Sequence, residues 1–186
     1  MLVSAVEVLR ERGAGGLTID AVLERSGAPR GSVYHHFPGG RSQILREALQ
    51  FAGDEMLAEI DEAADVSAGA LLRQIVALWS RVLIDSDYTA GSPVLAAALG
   101  WGQDDQQLTE VAADVFRRWR DAAKAAYIRQ GLQQAEATAL AHTVISALEG
   151  AVVLSRSMRN LDPLNDVARE LEFLIKAREF VAREMS

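Results

Sequence analysis

The chain has 186 residues, 49% hydrophobic and 24% charged, with a formal net charge of −7 and no cysteine. That length can bury a real core and perhaps two compact units, while the missing thiols exclude a disulfide framework and a thiolate metal site. No apolar run approaches the ~18 residues of a membrane span and no leader-like segment opens the chain, so a cytoplasmic protein with no membrane partner is expected. Strand-period alternation persists nowhere. The pattern is helical from end to end, which predicts an all-α fold of about nine helices.

Residues 2–12 form the first predicted helix, with Leu2, Val3, Val6 and Leu9 inward, closed at Gly13 and followed by the Gly15-Gly16 turn. The second starts near Thr18, a capping hydroxyl, with Asp20 at the positive end of the helix dipole. Ile19, Val22 and Leu23 give it an inner face. Gly27 suits a left-handed cap, and Pro29 suits the first turn of the third helix because its missing N–H would have had no partner there.

That third helix runs from Pro29 to about Phe37. At 100° per residue, Val33 and Phe37 share one face, while Gly31, Ser32, His35 and His36 occupy the opposite arc and Arg30 and Tyr34 the flank. Two apolar residues can dock on the preceding helix while a small, polar surface faces out. Helix, turn, helix is the arrangement that seats a recognition helix in the DNA major groove. Arg30 can reach a guanine edge or a phosphate. Ser32, Tyr34, His35 and His36 can donate to phosphates or bases, with Gly31 allowing close backbone approach. Arg41, after the Pro-Gly-Gly break, is expected to hold phosphate together with Tyr34. Thr18 completes the predicted DNA-binding set.

Arg41 to about Ala64 reads as a long helix linking head to body, followed by Ala68 to about Asp85. A short apolar helix opens at Pro93 and ends near Gly100. Long helices follow from about Asp104 to Gln130, Ala135 to Arg159 and Pro163 to about Met185. The expected division is a three-helix DNA-binding domain, 1–46, and a six-helix ligand-binding and dimerisation domain, 47–186. Charge divides the same way. Residues 1–46 carry six arginines against four acids, a net +2; residues 47–186 carry 13 cations against 22 acids, a net −9. A basic head on an acidic body suits a protein whose affinity comes from phosphate contacts.

The string GAPRGSVYHHFPGGR resembles the signature of the TetR family of bacterial repressors, with Gly27, Gly31, Ser32, Tyr34, His36 and Phe37 in register. Ala-Pro before the recognition helix and Pro-Gly-Gly after it look most like the LmrA/YxaF branch. There are departures. Position 23 is Leu where the wider family often has Ala, and the cation after the Phe comes one residue later, as Arg41. The chain also opens inside its first helix without the short basic arm that usually precedes it, so weak DNA binding is expected of the chain as given. The resemblance implies a homodimer formed by the last two helices, a double-stranded operator as partner, and release by a small effector.

For the dimer interface, the apolar stripes nominate Val144, Leu148 and Val152 on one helix and Leu171 and Leu174 on the next. The aromatics of the middle helices, Trp79, Trp101, Phe116, Trp119 and Tyr127, nominate an effector pocket for an apolar, aromatic molecule. The alternatives are an enzyme or a helical interaction module without DNA binding. Against an enzyme, there is no Gly-rich phosphate loop and no nucleophile-elbow serine. The only paired histidines, His35 and His36, are adjacent and project about 100° apart. No catalytic residue, metal ligand or cofactor is nominated.

Overall fold

The computed structural model describes residues 1–64, 66–100 and 105–184, with side chains from 106 onward in the last segment. Among them lie nine helices and no strand: α1 Leu2–Gly16, α2 Ile19–Ser26, α3 Arg30–His36, α4 Gly40–Ala64, α5 Ala68–Asp85, α6 Pro93–Leu99, α7 Asp105–Arg129, α8 Gln134–Met158 and α9 Asp162–Glu184.

The expected boundaries hold to within a few residues, and the caps explain them. Thr18 Oγ1 accepts from Ala21 N at 3.0 Å to start α2. Gly27 ends it at φ 65°, its N–H donating to Leu23 O at 2.9 Å. A side chain there would be strained. Pro29 stands one position before the expected place, as the extended N-cap of α3. Ser67 and Ser92 cap α5 and α6 by accepting from Ala70 N and Leu95 N. α1 departs further. Gly13 takes φ 66° and kinks the helix, which resumes to Gly16 instead of stopping.

The chain forms two compact units, residues 1–55 with 89–116 and residues 56–88 with 117–186. α4 and α7 each contribute to both. In the first unit α1 packs on α2 and α6, and α2 packs on α3. Its core includes Val8, Leu17, Val22, Val33, Ile44 and Leu45, all essentially inaccessible. The second unit is built on α5, α8 and α9. There the Ser155 hydroxyl, buried on α8, accepts from Leu164 N at 3.2 Å and anchors the start of α9. α8 is long and apolar enough to span a membrane, but it packs against α5 and α9, as a core helix of a bundle does.

Candidate nucleic-acid interface and effector cavity

Val33 and Phe37 point α3 inward, 0% and 5% exposed. That leaves Arg30, Gly31, Tyr34, His35 and His36 exposed on the outer side, with Thr18 exposed at the start of α2. The two imidazoles meet edge to face, centroids 5.1 Å apart. Thr18 accepts the capping bond through its oxygen, which leaves its O–H as a donor. Ser32 is the exception on this helix. It is half-buried, and its hydroxyl donates back to Pro29 O at 2.6 Å.

The arginines of this unit do more building than the charge count implies. Arg25 at the end of α2 grips Glu11 of α1 through two bonds of 2.7 Å, with Glu7 at 3.8 Å. The Arg25 hydrogen bond holds the Glu11 carboxyl below its ordinary pKa. Arg30 pairs with Asp20 across the α2–α3 turn. The phosphate role expected of Arg41 meets a different geometry. Its Nε donates to Leu17 O at 2.8 Å and one terminal nitrogen to Ala14 O at 2.6 Å. The guanidinium is half-buried against the end of α1, where carbonyls lack helical partners and a cation is favoured. In this arrangement Arg41 ties the start of α4 to the α1–α2 turn.

The second unit holds a cavity of about 40 Å³. Its walls include Trp79, Trp119, Tyr127, Val144, Leu148 and the carboxyl-bearing Glu149. Burial pushes the Tyr127 phenol pKa well up, so the hydroxyl stays protonated and can donate. The volume admits roughly three waters, so a drug-sized molecule must widen it. Of the five aromatics expected to form the pocket, Trp79, Trp119 and Tyr127 are brought together. Phe116 belongs to the other unit and is not part of the wall. Trp101 lies outside the described residues. Glu149 was legible only as a break in an apolar run.

Two domain families account for most of the chain. Residues 1–48 match the N-terminal domain of bacterial regulatory proteins of the tetR family. Residues 68–170 match the C-terminal domain of LmrA/YxaF-like transcriptional regulators. An HTH-type transcriptional regulator of Mycobacterium tuberculosis is 42% identical over 182 residues, 95% of this chain and 93% of the relative. The chain belongs to the TetR family. The TetR-family relative LmrA of Bacillus subtilis, an HTH-type transcriptional regulator, is 26% identical and covers 95% of each chain. The crystal structure of a TetR regulatory protein from Rhodobacter sphaeroides superposes with a TM-score of 0.80 at 18% identity, covering 92% of this chain and 94% of that one. This TetR-family chain is therefore a helix-turn-helix transcriptional regulator with the ligand-binding regulator fold.

The dimer residues expected of this TetR-family chain need correction. Within one protomer Val144, Leu148, Val152 and Leu171 are already buried, 0–6% exposed, and Leu174 is half-buried. Val144 and Leu148 face the cavity. They are core residues because the wide apolar stripe of each helix faces its own bundle. The apolar side chains left outside are Val153, Leu154 and Met158 on α8 and Phe173, Phe180 and Val181 on α9, with Phe173 73% and Phe180 64% exposed. Each set falls at helical spacing on one face. The signal was present in the sequence as a second, narrower stripe beside the main one.

Proposed function

We propose that this regulator is a cytoplasmic repressor that binds a palindromic operator as a homodimer and is released by a small, apolar, aromatic effector. The observation that carries the reading is the polar outer face of α3, set on a head whose core residues Val33 and Phe37 fix its orientation. DNA is read there by Arg30, Gly31, Tyr34, His35 and His36, with Thr18 and Tyr34 on phosphates. Ser32 and Arg41 act by holding the helix and its neighbours in place. The second copy joins through the outer stripes of α8 and α9, because an exposed Phe-rich face favours burial and operator half-sites are read in pairs about one helical turn apart.

The effector enters between Trp79, Trp119 and Tyr127, where indole and phenol walls favour an aromatic guest. To fit, it must displace side chains such as Met56 or Ile60. Both sit on α4, whose first part belongs to the DNA-binding unit. A small change in that helix alters the spacing of two heads. Linkage then requires DNA to weaken the effector by the same factor by which the effector weakens DNA.

A thermal-shift screen of aromatic compounds identifies a binder, and titration of tryptophan fluorescence with and without saturating operator tests the coupling. Release predicts weaker ligand binding in the presence of operator. Equal affinities in the two titrations contradict it, even where binding itself is real.

A further inference from the structure

Among the described residues, Glu149 is the one acidic side chain on the wall of the second unit's cavity, and no lysine, arginine or histidine joins it there. It is 7% exposed, and its Oε2 is closed to solvent. α8 carries it next to Leu148 on the face that lines the cavity. Trp79 of α5 and Trp119 and Tyr127 of α7 share that wall, all three buried. The Tyr127 hydroxyl keeps its proton, so any negative charge on the wall belongs to Glu149.

An apolar guest needs no carboxyl group beside it, and burying one carries a cost that an aliphatic side chain would not. This wall sorts guests by charge. A neutral aromatic finds ring contacts and an acceptor. An anion finds a like charge and no cation to offset it. A positively charged nitrogen finds two complementary partners, the carboxylate and the negative π-faces of the rings. An arriving cation also favours the ionised form of the acid, and a buried pair is screened little by salt.

We propose that the effector is an organic cation, an aromatic body carrying one positively charged nitrogen that seats against the Glu149 carboxylate beside Trp79, Trp119 and Tyr127. The inference rests on the reading that an aromatic effector enters this cavity, and it adds the charge that such a molecule carries. The rings and aliphatic side chains hold the body, and Glu149 selects the class of ligand.

The test uses two sets of probes matched in shape and differing in charge, on the full chain at neutral pH. The smaller set is phenethylammonium, phenethyl alcohol and phenylacetate; the larger is naphthylmethylammonium, naphthylmethanol and naphthoate. Thermal shift and calorimetry give the affinities. In at least one set the cation is expected to bind roughly tenfold or more tighter than its alcohol, with the anion weakest. Glu149→Gln keeps the size and removes the charge. It should cost the cation about tenfold and change the alcohol by less than about threefold, so that the preference collapses. Glu149→Asp keeps the charge and should keep the preference at reduced affinity. Each variant is checked for its unfolding transition, and the wild-type comparison stands without either.

An alcohol that equals or exceeds its cation in both sets overturns the proposal and leaves the cavity as an aromatic site. So does an anion that binds best, or a Glu149→Gln variant that folds and keeps the cation preference or weakens all probes alike. Failure of the underlying reading looks different: no probe of either size binds in any charge state, and the inference falls with it.

Discussion

Arg41 was expected to hold phosphate, and in the folded head its donors meet backbone carbonyls. Its position after the glycine break was legible in the sequence. Its direction was not, because which way a guanidinium turns depends on carbonyls that only the folded α1–α2 turn presents. With its donors on Ala14 O and Leu17 O, Arg41→Ala should cost the head about 1–3 kcal/mol in stability. DNA binding should weaken while the log K against log salt slope stays near the wild-type value. A phosphate contact would instead flatten that slope by roughly one unit per half-site. Unfolding and salt titrations of the same variant separate the two roles.

Glu11 gives the matching pH prediction. Its hydrogen bond to Arg25 lowers the folded-state pKa. The stabilisation is therefore fully present above the unfolded carboxylate value near 4.3 and is lost as pH falls through the depressed folded value. The pair lies at the surface, so the gain is up to about 1 kcal/mol. Wild type should exceed Glu11→Gln in stability at neutral pH, and the two should converge in acid. A gap that stays constant across that window would contradict this account of the pair.

At the level of helices, the sequence specified the elements well because the signals were local. A hydroxyl cap, a left-handed glycine and a proline mark α2 and α3, and each acts within a few residues of itself. What was hidden depends on neighbours distant in sequence. Gly53 had no reading of its own, yet a Cβ there would lie 2.7 Å from a Val115 methyl, so α4 and α7 approach at that point only because the residue is glycine. The stripes of α8 and α9 were found, but the wider face was assigned to the partner when it serves the protomer's own core.

The interface proposed on the outer stripes makes a direct prediction. Leu154→Glu or Phe173→Glu should weaken association by about 2–4 kcal/mol, roughly 30- to 1000-fold in dimer dissociation. The monomer should stay folded because both side chains are exposed within it. Leu148→Glu and Leu171→Glu should unfold the protein instead. Sedimentation with circular dichroism distinguishes the cases. A folded dimer for both outer variants would place the interface elsewhere.

For the whole molecule, the family and its helix-turn-helix chemistry were legible from one short string, whereas the ligand chemistry was not. Aromatic composition nominated five side chains; three of them meet at the cavity, and the glutamate beside them gave no aromatic signal. The division into units also follows contacts that composition does not encode, since 89–116 groups with the first 55 residues. The outer face of α3 that the sequence singled out is the one on which the proposed function places DNA.

The most direct test is an equilibrium titration of the intact protein against a duplex carrying its own upstream intergenic sequence, beside a scrambled duplex, at physiological salt. The account predicts a preference of at least about a thousandfold, largely abolished by Tyr34→Ala combined with His35→Ala, both exposed and outside the core. Equal affinity for the two duplexes, or a preference that survives the double substitution, would contradict it.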